Sequence, residues 1–472
     1  MKIASIILCA GVGSRFKSNK NKILHELCGR PLAYWSIKNA MAVTNLPPIV
    51  VISHQAQAVE EELRKHFHDA VVFAYQEVPN GTAGAVRAAI PHLDESCQSV
   101  LVICGDTPLL KTESLAQLVT IQQNSHVPIA LMTAFTDDPS GYGRIIRNRS
   151  QQISGVVEEG ETSPLEREIK EVNPGVYVYD VDFLRDHIFK ITPSRQKSEF
   201  YLTDLIEIYY RSGASYGPVS NVEISCEEMH GINDRRQLAY AQKVLNRRLL
   251  DKWMLEGATF IDPDNTYIEE RVKLSKDVVI YPGAYLSGET HVGEGVIIEN
   301  GAIIKDTVIE NYAHIFPYTL CDQAYVGERC KIGPFARLRP EARLENDVRV
   351  GNFVEIKRSR LKEGAKANHL AYIGDAELGA NSNIGAGAIT CNFDGRNKHR
   401  TVIGEGAFIG SNVTLIAPLA IGDHAFVAGG STIDREVPEA TLAIGRAHQV
   451  NKERKRKTEL LSESSKKSSS AH

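Results

Sequence analysis

The sequence predicts an α/β layered domain at the front of the chain, a connecting helix, and a long parallel β-helix behind it. Three observations carry that expectation. Up to about residue 232, short and continuously apolar runs alternate with helical stretches, as expected for strands buried on both faces by helices. Over about 234–256 the apolar residues fall at helical spacing instead. From Ile268 onward an aliphatic residue recurs at every sixth position. That period fits neither a 3.6-residue helix nor an alternating strand, but it does fit a solenoid of short strands turning corners.

In chain order, Ile3–Leu8, Ile49–Ile52, Val71–Tyr75 and Val100–Cys104 read as the buried strands. The helix that follows sets Leu238, Ala241, Leu245, Leu249 and Trp253 on one face. Its other face carries Arg247, Arg248 and Lys252. The ladder then runs Ile268, Leu274, Ile280, Leu286, Val292, Ile298, Ile304. It resumes as Leu320, Val326, Ile332, Leu338, Leu344, Val350, Ile356, and ends as Ile403, Ile409, Leu415, Ile421, Val427, Ile433. Each is expected to point inward, often followed by a glycine or small residue that suits a tight corner. Register is lost at Lys305–Thr319, Lys357–Tyr372 and Thr390–Val402, and a role beyond scaffolding is expected in these interruptions. The expected boundaries are 1–232 for the first domain, 233–256 for the helix and 257–446 for the β-helix. A charged, Ser-rich tail over 447–472 has almost no core formers and is expected to be disordered.

A chain of 472 residues and 52.1 kDa is too long for one core. Its hydrophobic fraction of 43% and charged fraction of 24% are ordinary for a soluble globular protein. A net charge of −4 offers no global attraction for nucleic acid or an anionic membrane, so any phosphate-binding surface must be local. No apolar stretch is long enough to span a bilayer. The opening MKIASIILCAGVGSRF reads as a first strand rather than a signal peptide. Eight scattered cysteines without a CxxC pair argue against a disulfide framework and a zinc site, and for a reducing cytoplasm.

The first strand runs directly into Leu8-Cys9-Ala10-Gly11-Val12-Gly13-Ser14-Arg15. Glycines there let backbone N–H groups converge on phosphate oxygens, and Arg15 adds a mobile charge. Neither GK[ST] nor GxGxxG is present, so this is neither a Walker A loop nor the dinucleotide fingerprint. A Gly-rich turn alone often only joins strand to helix; its company decides. Lys22 lies in Lys22-Ile23-Leu24, Gln76 precedes Asn80-Gly81-Thr82, and Asp106 ends a buried strand in Cys104-Gly105-Asp106. With these motifs the front half resembles the sugar-phosphate nucleotidylyltransferases. The ladder behind it narrows the resemblance to the bacterial bifunctional N-acetylglucosamine-1-phosphate uridylyltransferase/glucosamine-1-phosphate N-acetyltransferases, over Met1 to about Arg446.

The resemblance implies a Rossmann-like nucleotidyltransferase domain and a left-handed β-helix of hexapeptide repeats. It implies that Gly11, Gly13 and Arg15 hold the phosphates of UTP, that Lys22 neutralises their charge, and that Leu8, Ala10, Cys104 and Gly105 line the same site. By the same resemblance, Gln76, Gly81 and Thr82 read the uracil, and Gly143, Glu158 and Asn173 hold the sugar. It also implies that Asp106 and Asn233 bind Mg²⁺. These types suit in-line attack of a sugar phosphate on the α-phosphorus, which needs positioning and charge neutralisation more than a covalent nucleophile. Mg²⁺ prefers oxygen ligands and keeps several waters, so one carboxylate and one amide suffice. Cys9, Ser14 and Phe16 replace the commoner Ala, Thr and Met, the loop before Lys22 is short, and Ala83-Gly84 and Pro174 are unusual. No implied charge or metal ligand is lost.

In the β-helix, the second interruption holds Lys357-Arg358, Lys366, Asn368, His369 and Tyr372, and the third contains Cys391-Asn392-Phe393-Asp394-Gly395. Acetylating an amine from a thioester needs a base that works near neutrality, cations for the phosphate of the acceptor, and an N–H for the oxyanion. The resemblance implies that His369 is that base and that Arg339 and Lys357, with Tyr372 and Asn383, hold glucosamine-1-phosphate. It implies that Ala386 donates the oxyanion N–H and that acetyl-CoA lies against Ala386, Asn392, Phe393, Ser411, Gly429 and Arg446. Phe393 and Gly429 stand where Tyr and Ala are usual. A cytoplasmic homotrimer is also implied, with acetyl sites shared between chains and UDP-N-acetylglucosamine supplied to peptidoglycan and lipopolysaccharide precursors. Two other readings compete: a β-helix that only oligomerises or binds a regulator, and a non-catalytic assembly subunit. The basic, His-bearing interruption argues against the first, and the presence of Lys22, Asp106, Asn233 and His369 against the second.

Overall fold

A computed structural model describes residues 1–11, 13–125, 127–194, 198–212 and 217–453. Most of the expected tail, 454–472, lies outside the described residues, and 447–453 form no helix or strand. The chain divides into two units. One is Met1–Glu256 with Pro263–Val272 and Leu286–Gly288; the other is Gly257–Asp262 with Lys273–Tyr285 and Glu289–His472.

In the first unit, continuous apolar runs make strands that water reaches on neither face. Ile3–Leu8 pairs in parallel with Ile49–Ile52 on one side and Ser99–Cys104 on the other, and Val72–Tyr75 adds to the edge. Beyond Ser99–Cys104 the sheet turns mixed: Tyr177–Asp180 runs antiparallel to it, followed by Ile129–Phe135, Glu171–Asn173, Gly143–Arg147 and Ile153–Val157. Ser220–Ile224 lies parallel to Ile129–Phe135. Leu8 is paired with Cys104, so the Gly-rich turn and Gly105-Asp106 leave the sheet side by side at its carboxyl edge. Open α/β sheets bind ligands there.

The helix Arg235–Leu255 starts at a capping box, in which Asp234 accepts from the N–H groups of Arg236 and Gln237 and Gln237 reaches back to the N–H of Asp234. Ala241, Leu245 and Trp253 are buried, and Leu238 and Leu249 half-buried. On the basic face, Arg248 is half-buried. Its guanidinium donates to the Leu109 carbonyl at 2.8 Å and to Glu227 at 2.6 Å, because a long cationic side chain at the rim of a packed face can reach buried acceptors.

Three parallel sheets of eleven, ten and nine short strands make the left-handed β-helix. The inward aliphatics are buried as the ladder requires, with one exception. Leu320 is 42% exposed, and Cys321 fills the inward place. The cause is a one-residue shortening at the corner between the second and third sheets. The buried series there steps from Ile304 to Ile309, Cys321 to Val326, Ile356 to Leu361 and Ile373 to Leu378. Lys305–Thr319 and Lys357–Tyr372 are therefore not interruptions: strands continue through Val308–Ile309, His314–Ile315, Arg360–Leu361 and Lys366–His369. Only the third break is a loop, 392–400, after which the third sheet resumes at Thr401–Ile403. No helix among the described residues is long and apolar enough to cross a membrane.

Candidate active sites

At the carboxyl edge of the first sheet lies a cavity of about 460 Å³. Leu8, Ala10, Gly11, Lys22, Gln76, Gly81, Thr82, Cys104, Asp106 and Glu158 line it, along with Cys9, Pro79, Glu199 and Tyr201. Lys22 is buried on the short turn Lys22–Leu24, capped by Asn21. Its ammonium lies 2.5 Å from Asp106 Oδ2 and 3.3 Å from Asn233 Oδ1, which also accepts from Arg15 Nη2 at 3.1 Å. Gly13 takes the left-handed conformation (φ 65°), and a Cβ there would lie 2.8 Å from Lys22 Cβ, so only glycine brings this turn onto Lys22. Gln76 donates its amide to Asn80 Oδ1 at 3.0 Å and to the Gly81 carbonyl at 3.3 Å, leaving Oε1 as an acceptor for a ligand.

The sugar-side residues cluster next to this. Gly143 is paired with Asn173, whose amide donates to Tyr177 Oη at 2.6 Å. The Thr203 hydroxyl donates to Glu158 at 2.9 Å. Gly105 packs so closely that a Cβ would lie 2.3 Å from Cys9 Sγ. Burial and the nearby Asp106 carboxylate push both thiols up, Cys104 to about 12, so both stay neutral near pH 7. A neutral thiol is a poor nucleophile, which fits direct transfer rather than a covalent intermediate. No group of three or more His, Cys, Asp or Glu residues fit for a metal occurs among the described residues. The donors on offer are one carboxylate and one amide oxygen, both already turned toward a cation, the Lys22 ammonium. That set fits a hard cation that keeps most of its waters.

In the β-helix, residues far apart in sequence stack at one corner. Asn352 is paired with His369, one coil apart. The register of the same sheet carries His369 beneath Ala386, Ala386 beneath Ser411, and Ser411 beneath Gly429. Strand spacing of about 4.8 Å puts His369 and Gly429 roughly 14 Å apart. Arg446 closes the column by donating to the Gly429 carbonyl at 2.7 Å. His369 is exposed, its Nδ1 lies 2.8 Å from Asn352 Oδ1, and Nε2 has no partner among the described residues. The Ala386 N–H is likewise unpaired among the described residues, though its carbonyl accepts from Asn412. A Cβ on Gly429 would lie 3.2 Å from the Ser411 carbonyl, a tight but yielding fit.

The next corner carries positive charge. The Lys357 ammonium is held below its usual range by Lys398, then by burial, with Arg339 and Arg358 adding repulsion. Arg339 pairs with Glu355 at 2.7 Å, and Arg358 with Asp375 at 2.6 Å. Clustered cations that depress one another's charge favour a bound anion. The tip of Tyr372 reaches along its strand: a Cβ on Gly374 would lie 2.5 Å from Tyr372 Oη and 2.8 Å from Asn392 Nδ2. Asn392 also donates to Asp375. Asn383 is paired with Lys366, one coil away. Phe393 is exposed and forms an isolated bridge with Lys398 across the loop.

Comparison with known proteins decides the family. The MobA-like NTP transferase domain matches residues 5–161, and the bacterial transferase hexapeptide (six repeats) matches 400–435. The "Bifunctional protein GlmU" of Caldanaerobacter subterraneus subsp. tengcongensis is 43% identical over 96% of this chain and 97% of its own length. That of Anaeromyxobacter sp. is 45% identical over 96% and 92%, and that of Geobacillus sp. 41% over 96% and 97%. The chain belongs to the GlmU family.

Against that family frame, the first unit gathers every sequence-predicted nucleotide and sugar residue at or around one cavity. The β-helix divides its set between two corners. His369, Ala386, Ser411, Gly429 and Arg446 share one; Arg339 and Lys357 lie at the other, with Tyr372 and Asn392 reaching toward Gly374. Among the described residues, no hydrogen bond joins His369 to those cations within one chain. Sequence reading missed Lys398 beside Lys357, Glu199 and Tyr201 at the first cavity, and Thr203 behind Glu158. Lys398 was detectable, because it lies in the one true loop of the ladder. The other cavity residues carry no local motif.

Proposed function

We propose that the chain is a bifunctional enzyme that acetylates glucosamine-1-phosphate from acetyl-CoA and then joins the product to UTP, releasing UDP-N-acetylglucosamine and pyrophosphate. The observation that carries this reading is the corner column Asn352–His369–Ala386–Ser411–Gly429, which a purely structural prism does not need. His369 Nε2 removes the proton as the amine attacks the thioester carbonyl. The new C–N bond forms, the Ala386 N–H stabilises the oxyanion, and the C–S bond breaks to release coenzyme A. Arg339, Lys357 and Lys398 hold the acceptor phosphate, and Ser411, Gly429 and Arg446 hold the coenzyme.

In the first unit, an oxygen of N-acetylglucosamine-1-phosphate attacks the α-phosphorus of UTP as the bond to pyrophosphate breaks. The Gly11 and Gly13 backbone, Arg15 and Lys22 orient the phosphates, and Gln76, Gly81 and Thr82 hold the uracil. Asp106 and Asn233 would hold Mg²⁺, which supplies charge neutralisation on the phosphates. A cytoplasmic homotrimer fits the same reading. Ile303 and Leu320 stand exposed side by side on the second sheet, and Ile389 and Ile416 are exposed farther along it, apolar surface that a neighbouring β-helix would cover.

The test follows free thiol and pyrophosphate separately with glucosamine-1-phosphate, acetyl-CoA, UTP and Mg²⁺. His369→Ala is expected to abolish thiol release and spare uridylyl transfer, and Asp106→Ala to do the reverse. Pyrophosphate formed only when acetylated sugar is supplied, with no thiol at any time, overturns the acetyltransferase assignment.

A further inference from the structure

We infer that Asn352 is a positioning residue for His369, a neutral amide that fixes the imidazole tautomer for base catalysis; this rests on the acetyl-transfer reading above. The corner Gly351-Asn352-Phe353 lies one coil below Asn368-His369-Leu370, and both corners close on a left-handed residue, Phe353 at φ 56° and Leu370 at φ 47°. A Cβ on Gly351 would lie 1.9 Å from the Asn368 carbonyl oxygen, so glycine lets the two corners touch. Asn352 then grips the upper corner twice. Its main-chain carbonyl accepts from the Leu370 N–H at 3.0 Å, and its Oδ1 meets His369 Nδ1 at 2.8 Å.

An amide oxygen can only accept, so Nδ1 carries the proton and Nε2 keeps its lone pair toward solvent. That is the tautomer an amine-deprotonating base requires. A carboxylate in the same place would orient the ring too, but it would also favour imidazolium and so remove free base near neutrality. The carboxylate on the adjacent face, Glu355, is engaged by Arg339 at 2.7 Å. The charged groups on the two paired strands themselves are Arg349 and Lys366, both cationic. The partner that orients the base is therefore an uncharged amide.

The test compares Asn352→Ala and Asn352→Asp with the parent full-length protein, with His369→Ala as reference and uridylyl transfer as the folding control. Asn352→Ala is expected to lower kcat for acetyl transfer roughly tenfold or more, with KM for acetyl-CoA little changed and uridylyl transfer unaffected. Asn352→Asp is expected to recover part of that rate and to move the acid limb of kcat upward by roughly half a pH unit or more, because the new carboxylate raises the imidazole pKa. A purely structural role would not move that limb. An acetyl-transfer kcat for Asn352→Ala within about twofold of the parent overturns the inference, as does an unshifted acid limb in Asn352→Asp. Should Asn352→Ala fail to fold, the near-isosteric aspartate variant decides alone. Full acetyl transfer in His369→Ala would overturn the underlying reading instead, which separates the two failures.

Discussion

At the scale of single residues, the most telling contact is between Lys22 and the pair Asp106 and Asn233. Both oxygens proposed for a divalent cation face an ammonium, so a metal ion entering the nucleotide-free site must displace Lys22. That costs a charge-assisted hydrogen bond in a partly buried setting. Lys22→Met is expected to raise the affinity of the nucleotide-free protein for Mn²⁺ by about tenfold, some 1.4 kcal/mol, measured by the loss of the free-ion paramagnetic resonance signal. Equal or weaker Mn²⁺ binding by the variant would show that Lys22 does not compete for the seat. Asp106 was legible in the sequence because it ends a buried strand, and Lys22 because it follows the Gly-rich loop. Their mutual contact was not legible, since nothing in one dimension joins positions 22, 106 and 233. Likewise Tyr201 and Thr203 arrive at the cavity only through tertiary packing.

Among the elements, the β-helix was the most legible and also the most misread. A six-residue aliphatic period reports strands and corners directly, because each short strand offers one side chain to the core. The period hides the corner where one residue is omitted. There the backbone tightens while the inward series continues, so Ile309 and Leu361 remain buried although the count has slipped. The same slip made Leu320 look internal and made regular strands look like functional interruptions. It also concealed the column proposed for acetyl transfer, whose members are separated by unequal steps along the chain but are adjacent in register. Close coil stacking at this column gives a prediction. Gly351→Ala sets a Cβ against the Asn368 carbonyl at 1.9 Å, and the coils must separate or the corner must distort. A loss of about 2–4 kcal/mol is expected, seen as a lower melting temperature with acetyl transfer reduced and uridylyl transfer retained. Unchanged melting and unchanged thiol release would mean that the corner has slack.

For the whole molecule, the question is why one chain holds the residues proposed for acetyl transfer at two corners. The base column follows the first sheet, and the cations follow the second. A face of the prism lies between them, carrying exposed Leu320, Ile389 and Ile416 and the outward side of Tyr372. A second β-helix laid against such a face would bury these apolar side chains and bring one copy's cations toward another copy's base, which would make assembly a condition for one proposed activity and not for the other. The first cavity is different, because its residues converge within a single unit. Replacing both Ile303 and Leu320 by Glu should place like charges where these two neighbours would meet a partner. Sedimentation should then report monomers, thiol release should fall by roughly tenfold or more as shared sites are lost, and uridylyl transfer should persist near the parent rate. A monomer that still releases thiol at full rate would mean that each chain closes its own acetyl site, with His369 and the Lys357 cluster meeting across the face of one prism.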